Sequence, residues 1–352
     1  MRRKLDILIP TFNRPGRLHH LLKTGLALGV PEMSFVVLDD GSVAVEEVPG
    51  LGAATTEMVC RSFDSEHVLY SRNPNNMGVA ASLARYYRDL CEAEYTAMCV
   101  DKDEFIDARP YVSALSKLDA DPALSIVMLP LRQIDRVSAD RPLLFDYRRM
   151  SGRDFIAHYV RDPTLQHAGA YAVLRVAAAR KVGIPRSLDL SAHGLEDGFG
   201  IDIDTVLMVA TTGDVAFEGE APIRRSVIGG MTERYPLTFA YTYYQYAKRL
   251  MVELEARGFV SGATKRYYLA WWHLLIARGL VVAYRPVHGS EEERGVKRIR
   301  PHLTEPILLY LPGECVRLRV MPRAETVKIY LVGARLQLVN WCKKVCGFRH
   351  VD

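Results

Sequence analysis

Hydrophobic positions alternate along the chain between short continuous apolar runs and longer stretches of three-to-four-residue spacing. Leu5–Pro10 is an apolar run, and the basic stretch Arg14–Leu28 behind it carries Leu18, Leu21, Leu22, Leu26 and Leu28. That pattern predicts strand, turn, helix. Phe35–Leu38 repeats the compact apolar run and stops at Asp39-Asp40-Gly41-Ser42, a turn composition. A third strand is predicted at His67–Ser71, a turn at Asn73–Gly78, a helix at Val79–Cys91 and a fourth strand at Tyr95–Val100, ending in Asp101-Lys102-Asp103. Strands alternating with helices predict a Rossmann-like α/β architecture, a mostly parallel sheet with helices on both faces. Such sheets bind ligands beyond the carboxyl ends of their strands.

The pattern then loosens. Tyr111–Leu118 and Asp154–Tyr159 read as helical, Leu124–Pro130 and Ala168–Leu174 as strands, Arg175–Val182 as a helix. His193–Gly200 is a Gly-rich acidic turn, followed by a helical run from Asp202 to Ala210 and a strand near Val215. From Pro236 a long helix begins, bearing Tyr241, Tyr243, Tyr244 and Tyr246 and ending near Gly258. Tyr at helical spacing favours packing over sugar stacking. The change of character places a domain boundary near residue 230, giving a catalytic domain at 1–230 and a largely helical extension at 231–352.

Charge sharpens that division. Residues 1–230 hold 26 Lys and Arg against 31 Asp and Glu, whereas residues 231–352 hold 20 against 10. At 352 residues, 49% hydrophobic and 25% charged, the chain has room for about two domains of ordinary globular composition. Its six cysteines show no C-x-x-C pair, so neither a disulfide framework nor a zinc knuckle is indicated. Asp6 and Pro10 interrupt the apolar run after Met1-Arg2-Arg3-Lys4, which argues against an export signal. The longest apolar stretch, Leu269–Tyr284, contains His273 and Arg278 and falls short of the roughly 20 residues of a spanning helix. The expected location is therefore the cytoplasm.

Candidate chemistry gathers at the strand ends. Asp39, Asp40, Asp101 and Asp103 all follow predicted parallel strands and crowd one sheet edge, where carboxylates need a cation or hydrogen-bond donors. A divalent ion held by one or two carboxylates and substrate phosphates is one solution; turn formation by strand-end Asp is the other.

In these residues the chain resembles the family 2 nucleotide-sugar glycosyltransferases of the GT-A fold. The resemblance rests on Ile7-Leu8-Ile9-Pro10-Thr11-Phe12-Asn13-Arg14, on Val36-Val37-Leu38-Asp39-Asp40-Gly41-Ser42, and on Asn76-Met77-Gly78 with Ala84-Arg85. Val100-Asp101-Lys102-Asp103-Glu104 resembles the D-x-D motif, and Gly194-Leu195-Glu196-Asp197 the E-D element. Five motifs stand in family order over residues 5–225. The resemblance implies a GT-A catalytic domain and an inverting, hexosyl-type transfer from a nucleoside diphosphate sugar. It assigns base and ribose binding to Pro10, Thr11, Asn13, Asp39 and Asp40, with Arg72 in the same pocket, and puts Asp101 near the ribose. Asp103, with Asp101, would hold Mg²⁺ or Mn²⁺, and Asp197 would be the general base, with Glu196 orienting the site or serving as the base itself. One departure is Ile223-Arg224-Arg225-Ser226 where GT-A enzymes often carry a metal-binding His. Arg224 and Arg225 either contact the diphosphate or form a solvated surface pair. His193 is a possible acceptor contact, and His167 reads as structural.

The basic extension adds a further expectation. If Val327–Phe348 is helical, Tyr330, Leu331, Leu338, Trp341 and Val345 share an arc, while Lys328, Arg335, Lys343 and Lys344 lie elsewhere. Such a helix would either lie on an anionic membrane surface or pack as a domain or homo-oligomer contact. Basic residues interleaved with Leu and Val do not resemble a nucleic-acid module. The expected acceptor is a surface glycan or lipid-linked oligosaccharide, as in polysaccharide biosynthesis. The competing readings are a nucleotidyltransferase, which would carry a Gly-rich loop after the first strand, and a non-catalytic glycan-binding or scaffolding module.

Overall fold

Seven consecutive buried residues, Met33–Asp39, mark a strand covered on both faces, and the buried run Leu5–Ile9 is its neighbour. In the structure, a computed structural model that describes residues 3–134, 141–161, 171–184, 186, 200–226, 236–269 and 272, these become the centre of an eight-stranded sheet. In chain order the elements are β1 (Leu5–Thr11), α1 (Pro15–Leu26), β2 (Met33–Asp39), the hairpin β3 (Glu46–Val48) and β4 (Gly52–Ala54), α2 (Thr56–Ser62), β5 (Val68–Arg72) and α3 (Val79–Arg85), which runs into a π-helical turn at Tyr86–Leu90. They continue with β6 (Tyr95–Met98), β7 (Asp103–Phe105), α4 (Arg109–Ala120), β8 (Leu124–Met128), β9 (Leu131–Ile134), β10 (Arg141–Leu143), β11 (Arg149–Met150), α5 (Gly152–Tyr159) and β12 (Ala172–Arg175). Helices at Val176–Lys181 and Ile201–Ala210, β13 (Asp214–Phe217), β14 (Ile223–Ser226) and a helix at Pro236–Ala256 follow.

The large sheet has the order β11-β13-β8-β12-β6-β1-β2-β5. Strands β6, β1, β2 and β5 are mutually parallel, as are β8 and β13, while β12 runs antiparallel between β6 and β8. The parallel alternation thus holds for the first hundred residues, and β12, with the two-residue edge strand β11 antiparallel to β13, is what strand–helix counting misses. Alternate residues of β1 point to opposite faces. Leu5, Ile7 and Ile9 join a core with Leu18, Leu21 and Leu22 of α1, Val59 and Cys60 of α2 and Tyr111, Ala114 and Leu118 of α4. Leu8 faces the other side, toward Leu83 of α3 and Ile201 and Val206 of the Ile201–Ala210 helix. Asp6, on that second face, is fully buried, ion-paired with Arg3 at 2.7 Å and accepting a 2.6 Å hydrogen bond from Tyr86 Oη. A buried charge so compensated can interrupt an apolar strand.

A second sheet, β10-β9-β14-β7, has no counterpart in the sequence reading. Its strands are three or four residues long, too short for the period-2 pattern to stand out.

The chain divides into two compact units, one of Met1–Leu188 with Gly200–Gly230 and one of Asp189–Phe199 with Met231–Asp352. Within the second unit the Pro236–Ala256 helix buries Tyr244 and Tyr246 and stacks Tyr243 on Trp272 at 5.1 Å. Gly258 has φ 75°, the left-handed conformation that stops helices. Among the described residues no helix is long and apolar enough to cross a membrane. The segments Lys265–Arg285 beyond the first few residues, Ser290–Arg300 and Val327–Phe348 lie outside the described residues, as do His167, His193, Glu196 and Asp197.

Candidate active site

Register brings the candidate residues to one edge. Thr11, the last residue of β1, pairs with Asp39, the last of β2, and Pro10 pairs with Leu38. Asp40 N–H donates to Thr11 O at 3.0 Å, so the two chains leave the sheet together. Asn13, at φ 54°, donates its N–H to Ser42 Oγ at 2.8 Å, and its Oδ1 accepts from the N–H groups of Val43 and Ala44 at 2.8 and 2.9 Å. Asn tolerates the left-handed region better than most residues. Here it welds the β1 loop to the β2 loop.

The two adjacent aspartates do different work. Asp39, 1% exposed, accepts from Ser42 N–H through Oδ1 and from Tyr70 Oη through Oδ2 at 2.7 Å, with Arg72 Nε 3.7 Å away. Arg72 also donates to Ser42 O at 2.9 Å. Asp40 turns to the following loop: Oδ1 accepts from Asn73 Nδ2 and Met77 N–H, and Oδ2 from Gly78 N–H, each at 2.8 Å. Gly41 makes this approach possible. Its φ is 76°, and a Cβ there would stand 2.5 Å from the Asn75 carbonyl carbon. Asp40 thus anchors the 73–78 loop at the start of α3, a task its motif does not announce. Thr11 Oγ1 is buried without a hydrogen-bond partner among the described residues.

On the other flank of β1, β6 ends at Met98 and the chain turns through Asp101 and Lys102 into β7. Asp101 is buried and ion-paired with Arg14 Nη1 at 3.1 Å. Burial raises its carboxyl above the ordinary value, against the downward pull of Arg14, Arg17 and Lys102. Asp103, 1% exposed, accepts from Val100 N–H at 2.9 Å and Tyr171 Oη at 2.8 Å, both through Oδ2. Burial pushes its carboxyl up to about 6, while Arg225 pulls the other way. Among the described residues its Oδ1 is buried without a hydrogen-bond partner. Lys102 lies partly buried between the two acids, and burial, reinforced by Arg225, lowers its ammonium to about 8.

Strand β14 separates the two arginines. Arg225 is in register with Asp103, and its guanidinium lies over the Tyr171 ring at 5.5 Å. Arg224 points to the opposite face and donates to Glu104 at 3.1 Å. Only Arg225 is therefore on the Asp103 side, while Arg224 lies half-exposed in an ion pair with Glu104 on the other. Sequence reasoning missed Arg14, Lys102, Tyr70 and Tyr171 as site residues. Arg14 and Lys102 sit inside quoted motifs, but Tyr171 reaches Asp103 across 68 residues and carries no local signal.

The residues fit a divalent cation in one respect: the buried, unpartnered Asp103 Oδ1 is an acceptor that such an ion would satisfy. Among the described residues no group of three His, Cys, Asp or Glu side chains converges to hold one. The ion that fits takes one or two carboxylates and draws its other ligands from phosphate and water, as Mg²⁺ does.

No family model matches the chain, and no characterised protein matches it by sequence. Solved structures do. S. aureus TarS 1–349 in complex with UDP-GlcNAc is 15% identical, with a TM-score of 0.60 over 95% of this chain and 92% of that one. The same TarS fragment with UDP gives 13% identity and a TM-score of 0.58 over 95% and 91%. Against the longer S. aureus TarS structure the score is 0.56 over 94% of this chain and 55% of that chain. The chain has the TarS fold. TarS is a family 2 glycosyltransferase, so the fold expected from the five motifs is the fold found. At 13–15% identity the likeness to TarS is one of architecture: the mostly parallel sheet and flanking helices are shared while most side chains differ.

Proposed function

We propose that the chain is a nucleotide-sugar glycosyltransferase that takes a UDP-linked sugar and transfers it, with inversion, to a hydroxyl of a surface glycan or lipid-linked oligosaccharide. The carrying observation is that Asn13, Asp39, Asp40 and Asp101 follow the carboxyl ends of the adjacent parallel strands β1, β2 and β6 in a fold shared with a protein crystallised with UDP and UDP-GlcNAc. Pro10, Thr11, Asn13, Asp39 and Arg72 surround the base and ribose, with Asp39 and Thr11 offering acceptor and hydroxyl groups, and Asp40 holds the adjoining 73–78 loop in place. Asp101 and Asp103 hold Mg²⁺ or Mn²⁺, which when bound neutralises charge on the departing diphosphate.

Asp197, with Glu196 beside it, takes the proton from the acceptor hydroxyl as that oxygen attacks the anomeric carbon. The bond from that carbon to the diphosphate oxygen breaks as the new glycosidic bond forms, and a single displacement inverts the centre. The basic segment Val327–Phe348 brings the protein to an anionic membrane surface where a lipid-linked acceptor would lie. The test is isothermal titration with UDP and UDP-GlcNAc, followed by a transfer assay over isolated surface glycans. Micromolar binding of a nucleoside diphosphate supports the reading; failure of UDP, GDP, dTDP and CMP alike overturns it in favour of a glycan-binding or scaffolding module.

A further inference from the structure

Lys102 stands between two acids and is paired with neither. Asp101 directs its carboxylate to Arg14, and Asp103 directs Oδ2 to Val100 N–H and Tyr171 Oη. Among the described residues the Lys102 ammonium has no hydrogen bond and no ion pair, yet it is partly buried. An ammonium taken partly out of water without a counterion is unfavourable unless an anion completes the site. The charges around it tip the same way: Arg14, Arg17, Lys102 and Arg225 act on the pair Asp101 and Asp103, four cations on two carboxylates. The adjacent acid on β7, Glu104, is on the opposite face, bound to Arg224. Among the described residues, cations therefore outnumber carboxylates around Asp101 and Asp103.

We infer that Lys102 binds the diphosphate of the donor directly, so that nucleotide affinity is carried largely by the protein's own cations and survives removal of divalent metal. This deepens the transferase reading and rests on it. A diphosphate supplies the two or more negative charges that the cluster lacks, and an ammonium with three donors suits a phosphate oxygen without fixed geometry. The metal held by Asp101 and Asp103 then adds to a site that already attracts its substrate.

The experiment is titration at pH 7.0 of UDP and of uridine into wild type, Lys102→Met, Lys102→Arg and Arg14→Gln, each with Mn²⁺ and with EDTA. Wild type is expected to bind UDP in EDTA within about tenfold of its affinity in Mn²⁺. Lys102→Met should lose about tenfold or more for UDP in EDTA, the size of one charge-assisted hydrogen bond, and keep its affinity for uridine, which lacks phosphate. Lys102→Arg should recover most of the loss, and Arg14→Gln should weaken UDP more than uridine. Loss of wild-type UDP binding in EDTA with binding in Mn²⁺ would overturn the inference and leave the transferase intact. So would a Lys102→Met protein that binds UDP as wild type does, or loses uridine equally. No binding of UDP or uridine under either condition would remove the UDP-linked donor on which the inference rests.

Discussion

Replacing Asp40 tests whether it builds the site or merely touches the ligand. Its carboxylate, 7% exposed, accepts three hydrogen bonds of 2.8 Å, two of them from the backbone N–H groups of Met77 and Gly78. Asp40→Ala leaves both N–H groups and the Asn73 amide without that acceptor. A buried donor stripped of its partner costs about 1–3 kcal/mol, while Asn73 keeps Ser82 Oγ at 2.8 Å and Gly78 N–H keeps Asn76 Oδ1 at 3.2 Å as partners. The sum is about 2–4 kcal/mol, a large value for a single substitution. For a unit of this size each kcal/mol moves the melting temperature by about 2–4 °C, so the expected fall is roughly 4–16 °C. Asp40→Asn retains one acceptor oxygen and turns an amide donor toward one of the N–H groups, for a loss of about 2–3 kcal/mol. Calorimetric unfolding without nucleotide reads both. A melting temperature within 2 °C of wild type for Asp40→Ala, with UDP binding abolished, would refute the anchoring role and make Asp40 a ligand contact.

Other outcomes follow from the same geometry. Asp103 has its carboxyl raised to about 6 from an ordinary 3.8, so the folded protein binds this proton more tightly than the unfolded chain. Its contribution is greatest below the unfolded value and is lost as pH rises through about 6, an effect of about 3 kcal/mol; Asp103→Asn should flatten that part of the urea stability profile between pH 4 and 7. A profile as steep as wild type would show another group responsible. Gly41→Ala should destabilise by about 3 kcal/mol or more, because its left-handed φ and the Asn75 backbone 2.5 Å from the new Cβ both resist it. Denaturation midpoints unchanged in that variant would mean the 41–44 loop is free to move. Asp197→Asn should abolish transfer and leave UDP affinity within about threefold; a large loss of affinity would show it to be a donor contact. Deleting Val327–Asp352 should reduce sedimentation with anionic liposomes, and unchanged sedimentation would point to packing instead.

The parallel strands and the helices α1 and α3 of the first hundred residues were legible because each has a local signature, whereas the β3–β4 hairpin and α2 between them were not read. Buried parallel strands read as continuous apolar runs, and α1 announces itself by Leu18, Leu21 and Leu22 behind Pro15, which suits a first helical position. Strand-end acids could be placed at one edge from strand order alone. What could not be read is which way each acid faces. Asp39 and Asp40 are adjacent, yet one turns to Tyr70 and the other to the Met77 and Gly78 amides. Likewise Asp101 meets Arg14 from the β1 loop, and Asp103 meets Tyr171 from just before β12. These pairings depend on tertiary neighbours, as do the short strands of the second sheet, whose three or four residues pair only when brought together. Arg224 and Arg225 show the limit within a single dipeptide: the pleat sends them to opposite faces, and only the register with β7 says which faces Asp103.

That register has a consequence for how the protein is made. Strand β7 carries Asp103, but its partner strand β14 is synthesised only after β8, β9, β12 and β13 have emerged. A nascent chain shorter than this holds the acid without the Arg225 guanidinium opposite it, and one shorter than 171 residues lacks the Tyr171 hydroxyl as well. The acidic turn is therefore completed late, by the last strand of the first unit, and a ribosome-stalled or clipped product ending before Ile223 would carry the D-x-D sequence without the pocket that gives it meaning.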